Sequence, residues 1–378
     1  MTKRCELIWD LAVSPNLAEG NSTLVNAYAR TTQLSDGKIV SICRQGAAKH
    51  SHDGEIIIMT SNDIGQSWSS PTTLFKKSDF SSSETIISAG ICAIGENKLL
   101  ATCGTMVDVA PNDYLFSEES ASLDRRYFWI LSEDGGKQWS HPMAIDTSPY
   151  HRAGVTANPF VLSDGIIRIP LEVTNEAGVQ ATALTFARYA AGQIECGPIG
   201  LCAGDPTGQL NLSDAQFTTL ENGDLLMLLW TFRQKDEETI DAHQSISRDA
   251  GRSWSAPQPT GVQGQITVPL ALSCGTVVAV SNYRLSPPGI YLWQSCDGAK
   301  TWDSSPIRLW DERIKKVMAE SAPLNTSTQE DEGVWDQLQA FTFGTPNLLR
   351  LIDGTVLMTY YATIDDIIHI RACRFQMV

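Results

Sequence analysis

Long hydrophobic runs are missing from this 378-residue chain: no apolar stretch reaches the ~18 residues that a membrane-spanning helix needs. A membrane partner is therefore not expected. Basic charge is also short. Lys and Arg number 28 against 43 Asp and Glu, for a net charge of −15 and a pI near 4.8, which argues against nucleic acid or an anionic membrane surface as partner. An anionic small molecule stays open, provided that arginines converge locally. The nine cysteines form no CxxC pair, so neither a zinc site nor any other metal site is expected. Cys43, Cys92, Cys103, Cys274 and Cys373 fall inside apolar, strand-like runs, the setting of buried free thiols in a reducing compartment. Residues Met1 to Asp10 carry no long apolar run. A signal peptide is not expected, and a cytoplasmic location is. Long amphipathic helices are lacking too. One short helix is expected over 311–321, and 325–339 reads as an acidic exposed loop.

What the chain does have is an octapeptide that occurs four times. The copies are Ser61–Trp68, Ser132–Trp139, Ser247–Trp254 and Ser295–Trp302. Their common pattern is Ser-x-Asp-x-Gly-x-Ser/Thr-Trp, and a proline follows each one (Pro71, Pro142, Pro257, Pro306). The physics is that of a hairpin turn. Asp accepts hydrogen bonds from N–H groups a residue or two ahead, Gly supplies positive φ, and Trp plugs the turn against a neighbouring strand. Proline ends the unit because it cannot donate to a ladder. No catalytic role is expected for these residues; they count repeats.

A second signal recurs six times, as an apolar residue, an Asx-Gly or similar turn, and an apolar run. It spans Leu34–Val40, Ile94–Leu100, Leu162–Ile167, Leu220–Leu226, Leu272–Val278 and Leu351–Leu357. Six units of about 60 residues each hold four short strands apiece. The last unit runs out after one or two strands, and Cys5–Val13 is the strand left to complete it. The expected fold is all-β: a six-bladed β-propeller closed by pairing the two chain ends. It forms one domain over 1–378, with blades near 14–75, 84–146, 153–205, 210–260, 264–310, and 341–378 plus 5–13.

In a propeller the innermost strands ring one mouth of the axis, so useful residues stand just before each hairpin or just after the run that follows it. Before the hairpins stand Tyr28 and Arg30, then Tyr150, His151 and Arg152, then Asp214 and Gln216, then Gln265 and Thr345. After the runs stand Arg44, Glu172, Trp230 with Arg233, Tyr283 with Arg284, and Tyr360 with Tyr361. Arginine suits a carboxylate because its planar fork engages both oxygens. Arg30, Arg44, Arg233 and Arg284 sit at mouth positions of different blades, where convergence on an anion competes with salt bridges between blades. Asp53, Asp214 and Glu172 are the acid/base candidates. The bland alternatives are a turn at His52-Asp53-Gly54 and a turn cap at Asp214. His50, His52 and His151 are candidate bases or solvated loop histidines. Tyr28, Tyr283, Tyr360 and Tyr361 are candidate catalytic tyrosines or inert strand aromatics. Arg152, Glu172 and Gln265, with His151, complete the candidate substrate-binding set.

The four octapeptides resemble the Asp-box repeat of the sialidase (neuraminidase) superfamily, with Gln138 in place of Ser/Thr in the second and Ala299 in place of Gly in the fourth. In register with six hairpins, the resemblance covers essentially the whole chain. It implies a substrate carboxylate gripped by Arg30 in Arg30-Thr31-Thr32-Gln33-Leu34, which has Thr32 where the family has Pro. It implies Asp53 as general acid/base, Asp214 in the place of the family's Glu, and Arg233 as the second arginine. Two elements depart. Pro287-Pro288-Gly289-Ile290 stands where the third arginine belongs, leaving Arg284 as the nearest substitute. Thr345-Pro346-Asn347-Leu348 stands where the nucleophilic Tyr belongs, and a Thr hydroxyl without an activating base is a poor nucleophile. Tyr28 has the equivalent offset in the first unit, and Tyr283, Tyr360 and Tyr361 are the other substitutes.

The resulting expectation is an exo-acting glycosidase on a terminal acidic sugar of a glycan, with no cofactor. Arg30, Arg233 and Arg284 would hold the carboxylate, Asp53 would be acid/base, and Asp214 would support a tyrosine or a water. A polysaccharide lyase, or a hydrolase for another sugar, with His151 or Tyr283 as base, is the alternative on the same scaffold. A non-catalytic carbohydrate- or protein-binding propeller is the third.

Overall fold

Each hairpin signal closes one antiparallel strand pair, and six four-stranded sheets result. The computed structural model describes residues 5–109, 115, 123–150, 152–284, 288–309 and 342–378. The segments 311–321 and 325–339, as well as His151, lie outside them. The chain opens with β1 (Cys5–Ala12). Blade I is β2 (Val25–Gln33), β3 (Ile39–Gly46), β4 (Glu55–Ser61) and β5 (Thr72–Phe75). Blade II is β6 (Glu84–Gly95), β7 (Lys98–Val107), β8 (Arg125–Ser132) and β9 (Met143–Ile145). Blade III is β10 (Phe160–Val161), β11 (Ile167–Thr174), β12 (Gln180–Ala190) and β13 (Gln193–Ala203). Blade IV is β14 (Leu210–Thr219), β15 (Leu225–Arg233), β16 (His243–Ser247) and β17 (Gln258–Pro259). Blade V is β18 (Thr267–Ala271), β19 (Val277–Tyr283), β20 (Gly289–Ser295) and β21 (Ile307–Arg308). Blade VI is β22 (Phe343–Arg350), β23 (Val356–Ile364), β24 (Ile367–Met377) and the N-terminal β1, in the order β1-β24-β23-β22. The fold is an all-β six-bladed propeller. Among the described residues no helix is long and apolar enough to cross a membrane.

The second strand of a blade is covered on both faces by its neighbours. That explains runs without alternation: Leu225 through Leu229 are each 0% exposed, and all of β23 is buried. Fully burying one such side chain stabilises by about 1.5–3 kcal/mol. The apolar residues form cores between successive blades. Ile42 and Ile58 of blade I pack with Ile91 and Leu99 of blade II, and Leu226 of blade IV packs with Val277 of blade V. Leu357 and Ile370 of blade VI pack with Ile39 and Met59 of blade I, so the ring is continuous.

The octapeptides join the third and fourth strands of blades I, II, IV and V. In the first, Ser61 Oγ donates to Asp63 and accepts from Gly65 N, while Asp63 accepts from Ser67 N at 2.9 Å. The Asp thus accepts from N–H groups three and four residues ahead, not one or two, because the turn is a wide loop folded around its carboxylate. In three copies the Trp indole donates to the Gly carbonyl. In the fourth, Gln244 intervenes: its amide donates to Ala299 O and accepts from Trp302.

Closure of the ring rests on a polar lock as well as a ladder. Asp10 on β1 accepts from Arg371 Nε of β24 at 3.0 Å and from the Tyr360 hydroxyl of β23 at 3.0 Å. Arg371 is 1% exposed. Removing one partner of a buried ion pair costs about 3–5 kcal/mol. Asp10→Ala is therefore expected to lower the unfolding free energy by an amount in that range, read as a lower urea midpoint at unchanged slope, with Asp10→Asn intermediate. An unchanged midpoint would mean that the apolar ladder alone closes the ring.

Candidate active site

Three innermost strands carry the same irregularity. β2 bulges between Ala27 and Arg30, β14 between Ser213 and Gln216, and β22 between Gly344 and Asn347. Each bulge holds one residue in the left-handed region: Tyr28 at φ 62, Asp214 at φ 47 and Thr345 at φ 48. Such backbone costs about 1–3 kcal/mol per non-glycine residue and survives only where its surroundings impose it. A bulge re-aims a side chain. Here Tyr28, Asp214 and Thr345 all line one cavity of about 150 Å³. Blades II, III and V contribute Ser88, Glu172 and the adjoining Ile266 to the same cavity. A space lined from all six blades lies on the propeller axis.

Two paired groups face this cavity. The Tyr28 hydroxyl shares a short hydrogen bond with His50 Nε2, and the two rings stack with centroids 5.6 Å apart. Burial, then Lys49 and Arg44, push the imidazole well below its ordinary range, which leaves it neutral at neutral pH. Burial raises the Tyr28 phenol, and Tyr361 adds to the rise. The second pair is Asp214 with Glu172. Glu172 accepts from the Ser213 hydroxyl and, at 3.0 Å, from the backbone N–H of Asp214. Burial, reinforced by the Glu172 carboxylate and opposed by Arg30, raises Asp214 to about 8.

Arg30 is 5% exposed and hydrogen-bonds Thr156 O through Nη2; its buried Nη1 has no partner among the described residues. Burial lowers its pKa to about 10, against the pull of Asp214. Gln216 Nε2 grips the same Thr156 carbonyl at 2.8 Å, so blades I and IV hold one backbone segment between them.

The residues singled out in the sequence divide into two groups. Arg30, Glu172, Asp214, Tyr28, His50, Trp230 and Thr345 come together. Asp53 does not line the cavity. It is exposed and accepts from Ala47 N, and although burial acts to raise it, the Ser51 hydroxyl, the Ala47 N–H and Arg44 hold it below its ordinary value. It ties down the loop whose other residue, His50, reaches the axis. Arg44 donates to the carbonyls of Ile86, Ala48, Lys49 and Ser51, so its fork is spent on that loop. Arg233 is 48% exposed and pairs with Glu238. Arg284 donates to Gln265 Oε1, Phe343 O and the Tyr361 hydroxyl, beside the cavity wall. Gln265 therefore braces Arg284. Tyr283 packs edge-on against Tyr291 within blade V, and Arg152 is exposed. Tyr360 is engaged by Asp10, whereas Tyr361 meets Tyr28 edge-on with centroids 5.7 Å apart.

One charged cavity residue escaped sequence reasoning. Arg125 opens β8, and its buried Nε has no partner among the described residues. Strand parity carries the signal. Arg125 shares a face with Tyr127 and Trp129, which are buried, while Arg126 falls on the other face with 58% of its side chain exposed. Among the described residues no three His, Cys, Asp or Glu side chains group as metal ligands.

Comparisons with known proteins place the fold. A protein of unknown function from Dyadobacter fermentans superposes with a TM-score of 0.74 at 17% identity, covering 99% of both chains. The intramolecular trans-sialidase of Ruminococcus gnavus, solved in complex with oseltamivir carboxylate, gives 0.63 at 11% identity, over 93% of this chain and 94% of that one. A sialidase from Streptococcus pneumoniae gives 0.63 at 11% identity, over 93% and 68%. These likenesses show a sialidase-like propeller. No curated protein matches the sequence. The family model described as BNR repeat-like domain matches residues 114–358, well over half of the chain, and the chain belongs to that family.

Proposed function

We propose that the protein is a glycoside hydrolase that releases a terminal acidic sugar, with its chemistry in the axial cavity. The observation that carries this reading is the unpartnered Arg30 Nη1, which lies in one cavity with the Tyr28–His50 pair and the Asp214–Glu172 pair. A buried guanidinium with a free N–H suits a carboxylate oxygen. Asp214, raised by burial, is protonated at neutral pH and suits general-acid work. In the first step the Tyr28 oxygen attacks the anomeric carbon as His50 Nε2 takes the phenol proton. The glycosidic bond breaks, and Asp214 gives its proton to the leaving oxygen. In the second step a water attacks the same carbon and passes its proton to Asp214. The tyrosyl bond breaks, and the phenolate recovers its proton from His50. The carboxylate ligand in the Ruminococcus gnavus structure supports an acidic substrate.

The neutral His50 beside Arg30 supports a second reading. A base facing a neutralised uronate carboxylate suits β-elimination as well, with His50 removing the proton next to that carboxylate. One panel separates the two. Aryl glycosides of sialic and uronic acids, and uronate oligosaccharides, are offered to wild type and Arg30→Met. Release of the aryl group from acidic glycosides alone is expected, with kcat/KM reduced about 100-fold or more in Arg30→Met. New ultraviolet absorption from an unsaturated uronate would select elimination. No turnover of any acidic glycoside or oligosaccharide would remove both.

A further inference from the structure

The axial cavity holds one charged group that the proposed reaction leaves unused. Arg125 lines it from β8, with its Nε buried and unpartnered among the described residues. Burial lowers its pKa against the pull of Glu172, whose Oε2 accepts from the Ser213 hydroxyl and the Asp214 N–H. Leaving a buried guanidinium N–H without an acceptor is costly, so the Arg125 Nε calls for a reason beyond packing.

Its position relative to Arg30 supplies the reason. Arg30 Nη2 is tied to Thr156 O, while Arg125 Nη1 lies against Gly154, where an added Cβ would stand 3.3 Å from it. The two guanidinium groups thus meet the cavity wall at different points of one backbone segment, Arg30 at Thr156 and Arg125 beside Gly154. A single carboxylate fills one fork with its two oxygens. Two buried N–H groups on separate forks, each without a partner among the described residues, suit two anionic groups on one sugar or on adjacent sugars. The charges agree: Arg30 faces Asp214, a weak counter-ion when protonated, and Arg125 faces Glu172.

We propose that Arg125 forms a second anion-binding point, and that the cavity selects a glycan carrying two oxyanions, a carboxylate at Arg30 and a sulfate ester or second carboxylate at Arg125. The inference rests on the cavity's being an acidic-sugar site, but its test does not use turnover. Calorimetric titration of the full chain with four probes reads it directly: glucuronic acid, an O-sulfated glucuronic acid, a disaccharide of two uronic acids, and glucose 6-sulfate. At least one dianion is expected to bind about tenfold or more tightly than glucuronic acid, because a hydrogen-bonded ionic contact is gained. Whichever dianion leads identifies the second group as sulfate or carboxylate. In Arg125→Met the ratio of dianion to glucuronic acid affinity should fall to about one, and Arg125→Lys should keep part of it. Without ligand, Arg125→Met should still unfold in one cooperative transition, so that a lost dianion preference is read on a folded protein. Equal affinity for one and two anions, equal weakening of both by Arg125→Met, or no binding of any probe would overturn the proposal. Glycoside cleavage without a dianion advantage leaves the hydrolase standing and removes the second point. A dianion advantage without cleavage does the reverse.

Discussion

Asp214→Asn is expected to lower kcat by about 10²–10⁴, the range that a positioned general acid contributes. The substitution is nearly isosteric, and Asn is among the residues that tolerate the left-handed backbone found at φ 47. Below about pH 8 the native side chain is already uncharged, so the variant changes proton donation without changing charge. The loss should depend on the leaving group. An alkyl alcohol needs its oxygen protonated, whereas a nitrophenol departs readily without help, so the ratio of the two rates should widen in the variant. Uniform loss for both leaving groups would reduce Asp214 to a turn cap.

The same shift has a pH signature in activity and in stability. Wild-type kcat should fall as pH rises through about 8, and Asp214→Asn should lack that limb. For stability the sign runs the same way. Between the ordinary carboxylate pKa near 3.8 and the folded value of about 8, the native state holds a proton that the unfolded chain has lost. Stability contributed by Asp214 is thus full below the ordinary value and declines as pH climbs through the folded one. Urea midpoints across that window should decline less in Asp214→Asn than in wild type.

The architecture was legible because its signals are local. A turn such as Leu34–Val40 or Ser61–Trp68 is specified within eight residues, and repetition multiplied the weak signals. The chain-end closure followed from counting strands. Convergence at the axis is another matter, since it depends on residues far apart in sequence and on how loops lie. Arg233 follows a buried run as Arg30 precedes one, yet its strand ends at the rim, where Glu238 meets it. Asp53 lies in the expected loop, but Arg44 folds that loop back on its own carbonyls. His50 points inward as a result, and Asp53 ties the turn from outside. Arg125 was readable by strand parity alone, had the strand's start been known. What the sequence could not signal was the left-handed bulge that turns Tyr28, Asp214 and Thr345 to one point. Glycine would have marked such backbone, and no glycine is there.

Tyr28→Phe should abolish hydrolysis to the same degree or further, at a cost of about 10²–10⁴ or more in kcat, while the ring keeps its stack on His50 and its edge contact with Tyr361. An unassisted phenolate is not accessible here, because burial pushes the phenol well above its ordinary pKa. The nucleophile therefore depends on a partner that accepts the proton as the bond forms, and His50 is hydrogen-bonded to that oxygen. His50→Gln should accordingly approach Tyr28→Phe in activity, and the double variant should lose little more, since the two act as one unit. The rising limb of the wild-type profile should lie well below the ordinary histidine range, because burial, Lys49 and Arg44 all oppose imidazolium. A slow fluorinated glycoside offers a direct reading by mass spectrometry of the digested protein. Sugar attached to the Tyr28 peptide would identify the nucleophile, and full activity in Tyr28→Phe would pass the attack to water. In that case the Asp214–Glu172 pair would have to serve as acid and base together. Two carboxyl groups linked through one residue's backbone N–H are poorly placed for that, since inversion needs them about 6.5–9.5 Å apart to admit a water. The geometry around Tyr28 is thus what separates a retaining hydrolase from every other use of this cavity.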